Sequence, residues 1–278
     1  MPLKKLSSPL YPAESVNQVP LPLADQLKQR KSESSAAQRT IVIAAGHDAC
    51  VMIETALSVF EGVFAEDAIA VTSHRHFREV DGCQVFAASH PIPNTEGLNA
   101  AKRVSNKLVD CGIGTRVIAL VSDGASALLP SPVAGLTLGD KIEVNDLLLN
   151  SKLEIHEINL VRQSLSTLKG GGFLRLAYPA VVHSFSITRQ RIYDPAVIGS
   201  GPSVGTLGTV ACARRLLIEK GLFIRLPRAV REYFENSSVP LELPLAPRAR
   251  LVSLAPPTWP RPTKKEQRTV AELTVVQF

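Results

Sequence analysis

Five short apolar runs, each followed by a turn or a helical pattern, constrain this chain more than anything else in it. They are Thr40–Ala45, Ala68–Thr72, Gln84–Ala88, Arg116–Val121 and Ala180–Ile187. Short runs dominated by Val, Ile and Ala are the pattern of strands buried on both faces. Between them apolar residues recur at helical spacing. Val51, Ile53, Ala56, Leu57 and Phe60 predict a helix over Cys50–Phe64. Helices are likewise expected over Glu96–Asp110, Leu138–Ser151 and Glu157–Thr167. Strands alternating with helices make βαβ units, which build a mainly parallel sheet covered on both faces. The expected fold class is therefore α/β: a three-layer, Rossmann-like sheet. Ligands in such sheets sit beyond the carboxyl ends of the strands. The turns after Ala45, Val121 and Ile187 all leave those ends.

The two ends of the chain read differently. Residues 1–38 are rich in Pro, Ser, Lys and Gln and are expected to form a weakly ordered leader with one short helix near Leu23–Gln29. Residues 39–238 carry the α/β pattern. Residues 239–278 hold a cluster of prolines and are expected to be an irregular tail, with Val270–Phe278 a short strand or helix. The 45% hydrophobic content suffices for a sizeable core, and aromatics at 5% leave its filling to aliphatic residues.

A net charge of +6 favours acidic partners or phosphorylated small molecules. No basic stripe is interleaved with aromatics, so no nucleic-acid partner is expected. Cys50, Cys83, Cys111 and Cys212 form no CxxC pair and read as reduced thiols. The start, Met1-Pro-Leu-Lys-Lys5, lacks the apolar stretch of a signal peptide, and no apolar run is long enough for a membrane span. A cytoplasmic protein with no membrane partner is the expectation.

Several turns could meet an anion. In Ser122–Pro130, Gly124 and Ala125 would let backbone amides approach a ligand, and the Ser122 and Ser126 hydroxyls would add hydrogen bonds. The plainer reading is a tight strand-to-helix connection. Asn159 and Arg162, three apart, share a helix face. Arg can grip an anion at two points, and Lys169 beside Gly170 and Gly171 can reach phosphate. The plainer reading is a solvated face and a helix C-cap at Gly170. Asp194 before Pro195 reads locally as an Asp-Pro turn, Asp48 as a helix cap, and His74-Arg75-His76 as a solvated strand end. No Gly-x-Ser-x-Gly marks a serine hydrolase.

Taken in order, Ser122-Asp-Gly-Ala-Ser-Ala-Leu-Leu-Pro130, His156-Glu-Ile-Asn-Leu-Val-Arg162, Lys169-Gly-Gly171 and Asp194-Pro-Ala-Val-Ile-Gly-Ser-Gly-Pro202 resemble the N-terminal domain of the glycerate 2-kinase family. Its members are often labelled hydroxypyruvate reductase. His90-Pro-Ile-Pro-Asn-Thr-Glu-Gly97 resembles a further signature, and the resemblance runs from about Thr40 to about Phe234. It implies phosphorylation of D-glycerate to 2-phosphoglycerate with ATP and Mg²⁺ as cofactors, and glycerate and a nucleotide as partners. It implies that Ser122, Gly124, Ser126, Lys169, Gly170 and Gly171 cradle phosphate. Asn159 and Arg162 would fix the substrate or a phosphate, and Asp194 would hold Mg²⁺ or orient the reacting hydroxyl.

The chain departs from that pattern in places. The family loop usually reads Gly-Lys-Ala-Ala with a catalytic Lys, and here His47 occupies that position. Asp123 stands where the family has Gly, and Arg189 where it has an acid. The family continues into a second domain, which does not fit in the residues after 240. These departures imply an impaired kinase, with a non-catalytic remnant as the alternative. An NAD(P)H-dependent hydroxypyruvate reductase is opposed by the lack of Gly-x-Gly-x-x-Gly after any expected strand.

Overall fold

A computed structural model describes residues 22–33, 37–189, 194–237 and 249–254. Six strands form one sheet: β1 (Arg39–Ala45), β2 (Ala68–Ser73), β3 (Gln84–Ala88), β4 (Thr115–Ser122), β5 (Val181–Ile187) and β6 (Ala249–Leu254). All are parallel, in the order β3-β2-β1-β4-β5-β6. This is the strand order of doubly wound dinucleotide-type sheets. The five expected strands are present. β6 was not expected: it lies in the stretch read as an irregular tail, where Pro247 and Pro256 leave an uninterrupted run long enough for one strand between them. The expected Val270–Phe278 element lies outside the described residues.

The nine described helices are α1 (Pro22–Glu33), α2 (Ala49–Val59), α3 (Thr95–Val109), α4 (Ala125–Leu128), α5 (Leu138–Leu149), α6 (Ile155–Ser164), α7 (Gly172–Ala177), α8 (Val210–Glu219) and α9 (Arg228–Asn236). Alternate strand residues face opposite layers, as a period of two requires. Ile41, Ile43, Val117 and Ala119 pack on α3 and α7 through Val104, Leu108, Phe173 and Leu174. Val42, Ala44, Ile118 and Leu120 pack on α1 and α2 through Leu23, Leu27, Met52 and Ile53.

The helix expected near Leu23–Gln29 is thus longer than the sequence suggested and belongs to a layer of the domain. Leu23 and Leu27 are both 0% exposed, and the Lys31 amine donates to the Val59 carbonyl at 2.8 Å. Conversely α2 stops at Val59, short of the expected Phe64, and the chain turns at Gly62 with φ +77°. Helices α5, α6, α8 and α9 do not cover the sheet. They enclose a separate apolar cluster built on Val144, Leu148, Val161, Leu217 and Val230. Among the described residues no helix is long and apolar enough to cross a membrane.

Candidate functional site

The strand order reverses between β1 and β4, so the loops leaving these two strands splay apart and open a crevice. Here the loops nest before they separate. Gly46 has φ +126°, and a Cβ on it would stand 2.2 Å from Ser122 Oγ. A Cβ on Gly124, at φ +89°, would stand 2.7 Å from the His47 ring. Only glycine fits either position. The His47 amide donates to the Asp123 carbonyl at 2.8 Å, and the Asp48 amide donates to Ser122 Oγ at 3.0 Å. The loop after β5 joins them. The Asp123 carboxylate accepts from Thr188 Oγ1 and the Arg189 amide, each at 2.8 Å, and Arg189 Nη2 donates to Asp48 at 2.8 Å.

Two sequence expectations change at this point. Ser122 is 0% exposed and its hydroxyl is engaged by the Asp48 amide, so it holds the two loops together instead of facing a ligand. Asp48 occupies the N-cap position of α2, but its side chain makes no capping bond and pairs with Arg189.

In front of the nested loops lies a cavity of about 280 Å³. Asp123, Gly124 and Ser126 line one side, Lys141 and Asn145 of α5 and Asn159 and Arg162 of α6 another, and His90 and Lys169 complete much of the wall. Asn159 and Arg162 share a face, as their spacing predicted. Asn159 is 1% exposed; its Nδ2 donates to the Ile155 carbonyl at 2.9 Å and its Oδ1 accepts from Ser200 Oγ at 2.7 Å. The Arg162 guanidinium is fixed by Asn145 Oδ1, at 3.0 Å from Nε and 2.5 Å from Nη2. The Lys169 amine donates to the carbonyls of Ser126 at 2.8 Å and Leu129 at 3.2 Å. Ser126 Oγ lies 2.8 Å from Ser200 Oγ.

Lys141 and Asn145 are polar cavity residues that sequence reasoning missed, and Ser200 supports the wall from behind through Ser126 and Asn159. Lys141 looks like an ordinary helix-face lysine, yet its amine donates to the Leu165 carbonyl at 3.0 Å beside Arg162. Ser200 is fully buried with φ 62°, in a left-handed run with Gly199 and Gly201. A non-glycine residue in that region marks a backbone held by its surroundings. The Gly-Ser-Gly sequence was the available signal.

The charge balance of the cavity is one-sided. Burial pushes the Lys141 amine down to about 7, and the neighbouring Arg162 adds to the shift. Burial holds the Lys169 amine well below the usual lysine range, with Lys141 and Arg162 contributing. Arg162 is lowered by burial. Among the described residues none of the three has a carboxylate within ion-pair distance. Asp123 lines the cavity, but its two oxygens are taken by Thr188 and Arg189.

Three expected site residues lie elsewhere. Gly170 and Gly171, at φ +53° and +76°, donate their amides to the carbonyls of Ser200 at 3.1 Å and Gly201 at 2.9 Å. They bind the turn after α6 to the Asp194–Pro202 segment and have no amide left for phosphate. Asp194 does not line the cavity. One oxygen lies 2.6 Å from His156 Nε2 and the other accepts from the Ala196 amide at 2.8 Å, the local turn its sequence suggested. No group of three or more His, Cys, Asp or Glu residues able to hold a metal ion occurs among the described residues.

His47 also sits behind the cavity wall. Its ring packs against those of His76, at 4.8 Å between centroids, and His90, at 4.6 Å. Its Nδ1 is buried without a hydrogen-bond partner. Burial, followed by the charges of His90 and His76, brings its pKa down to about 4, so the ring is neutral near pH 7. His76, expected at a solvated strand end, instead packs in a tilted arrangement against His47 with its Nδ1 2.7 Å from Ser73 Oγ.

Fold and cavity together define a doubly wound α/β domain with a cation-rich pocket at its topological switch point. The chain belongs to the family described as "Domain of unknown function (DUF4147)", which matches residues 9–235. It is 37% identical over 198 residues to a protein of Agrobacterium vitis whose name refers to hydroxypyruvate reductase, covering 71% of this chain and 51% of that one. It is 31% identical over 213 residues to "Glycerate 2-kinase" of Pyrococcus horikoshii, covering 76% of this chain and 47% of that one. A crystal structure of a Pyrococcus horikoshii protein superposes with a TM-score of 0.71 at 30% identity, covering 79% of this chain and 50% of the other. The chain spans about half the length of the curated relatives it matches.

Proposed function

We propose that this domain is glycerate-kinase-like and binds the phosphate-bearing end of its ligands in the 280 Å³ cavity. The observation that carries this reading is the set of Lys141, Arg162 and Lys169 around one cavity with no carboxylate partner among the described residues. Amines gathered beside a guanidinium in low dielectric give up protons to relieve their mutual repulsion, and a bound anion favours their return. The glycerate kinase names of the relatives support phosphoryl transfer to glycerate as the chemical class. In such transfers the protein's contribution is mostly positioning and charge neutralisation.

ATP, when bound, supplies the phosphoryl group, and the three cations suit its phosphates. Arg162 clamped by Asn145 would orient an oxygen pair, and Lys169, positioned by two carbonyls, would take up a proton and donate to the phosphate. Mg²⁺ finds no comparable fit. Asp123 and Asp194 are each committed to other partners, which leaves no free carboxylate of the expected set to hold it. The free cysteines support a reducing, cytoplasmic setting.

A second reading, ligand binding without turnover, is favoured by His47. The resembling family carries a catalytic Lys there, and a neutral imidazole behind Gly124 cannot supply its charge. A kinase assay with ATP, Mg²⁺ and D-glycerate, beside calorimetric binding of ATP and 2-phosphoglycerate, tests both. Binding with turnover supports the kinase, and binding without it supports the second reading. Absence of binding by either phosphate ligand overturns the anion pocket itself.

A further inference from the structure

We propose that Lys141 is a binding residue of the cavity and makes it select a phosphate group over a carboxylate, completing a three-cation set with Arg162 and Lys169. The inference rests on the anion-binding reading above and assigns a residue to it that no motif had singled out.

The geometry supports this in three ways. The three cations come from separate chain positions, in α5, in α6 and in the turn after α6, yet line one cavity. Each is pinned by neutral groups: Lys141 by the Leu165 carbonyl, Arg162 by the Asn145 side chain, and Lys169 by the Ser126 and Leu129 carbonyls. Each also keeps donors in reserve, since an ammonium has three N–H groups and a guanidinium five. A carboxylate offers two oxygens and one charge, which Arg162 alone can satisfy. A phosphate monoester offers three oxygens and nearly two charges, which calls for the additional cations.

Protonation follows from the same arrangement. Lys141 faces Arg162 and Lys169, and the other titratable groups of the cavity wall are Asp123 and His90. With its amine down at about 7, Lys141 is mostly neutral in the empty cavity at a pH of about 8, and the lowered Lys169 amine shares in any proton uptake. A dianion reverses the local balance and favours the ammonium, so the phosphate group enters with a proton taken up from solvent. The phosphate can belong to a nucleotide or to a phosphorylated acid.

The test is calorimetry at a pH of about 8, in two buffers of different ionisation heat, on the full chain. The probes are 2-phosphoglycerate, ATP and, as the carboxylate control, D-glycerate. Wild type should take up protons on binding a phosphate probe. Lys141→Arg should keep the affinity but lower the uptake by about one proton, because its guanidinium is already charged. Lys141→Met, checked for a native circular-dichroism spectrum, should weaken the phosphate probe by about 10- to 100-fold and leave D-glycerate within about twofold. Which of ATP and 2-phosphoglycerate shows the effect identifies the source of the phosphate. Lys141→Met binding as tightly as wild type, or Lys141→Arg retaining the full uptake, overturns the role of Lys141 while the anion pocket stands. If wild type binds neither phosphate probe, the pocket falls with it.

Discussion

At the scale of single residues, His47 shows how a position can keep its place and change its chemistry. It follows β1 at the switch point, where the resembling family has a lysine, but its ring lies under Gly124 and between two other histidines. A gain of activity through a charged imidazole near pH 6 is therefore not expected, since the ring stays neutral until about pH 4. The effect belongs to stability. Between a pH of about 6.5 and about 4 the unfolded chain binds a proton at this residue that the folded chain refuses, so stability is lost as pH falls through that window. In urea unfolding followed across the window, His47→Gln should lose stability less steeply than wild type. Lys169 is the complementary case. Lys169→Ala should weaken binding of a phosphate ligand by about 1.5–3 kcal/mol, the range for a hydrogen bond to a charged group. Unchanged affinity in calorimetry, with the fold intact by circular dichroism, would remove Lys169 from the site.

The elements separate what a sequence discloses from what it withholds. Strands β1, β2 and β4 were legible because residues buried on both faces leave an apolar run, and β5 because Val181, Val182, Phe185 and Ile187 dominate a short segment despite its buried His183, Ser184 and Ser186. The shared face of Asn159 and Arg162 was legible because helical spacing is local. Lys141 was not, because its place in the cavity wall depends on α6 and the turn of Lys169, and nothing within α5 records that. Gly170 and Gly171 misled for a related reason. Glycine announces a close approach but not what approaches, and here it is the backbone of Ser200 and Gly201. Helix α1 was undervalued because its polar majority hides two buried leucines. Leu27→Ala should destabilise the domain by about 2–5 kcal/mol, the cost of a buried leucine cavity, in a denaturant titration. A loss below about 0.5 kcal/mol would return α1 to the weakly ordered leader that the composition suggested.

For the molecule as a whole, the decisive feature is that the domain has two kinds of core. The sheet layers enclose one pair of apolar clusters, and α5, α6, α8 and α9 enclose another. The cavity lies between them. Gly124 and Ser126 come from the sheet side and Lys141, Asn159 and Arg162 from the helical side, while Ser200 joins Ser126 to Asn159 across the gap. A phosphate ligand that bonds to both sides should slow hydrogen exchange in α5 and α6 as well as in the loop after β4. Protection confined to the loop would show that the helical side does not take part in binding.

This arrangement also bears on how the site would tolerate inherited change. The affinity of such a pocket is set by the relative placement of two bodies and not by the first ring of contacts alone. A substitution deep in the helical cluster, such as a trimmed Leu217 or Val230, touches no ligand. It would nonetheless shift the cations of α5 and α6 against the loops of the sheet. Natural variation in that distant cluster would then be read out as variation in ligand preference, and the seam, more than any one residue, would be the inherited unit of specificity.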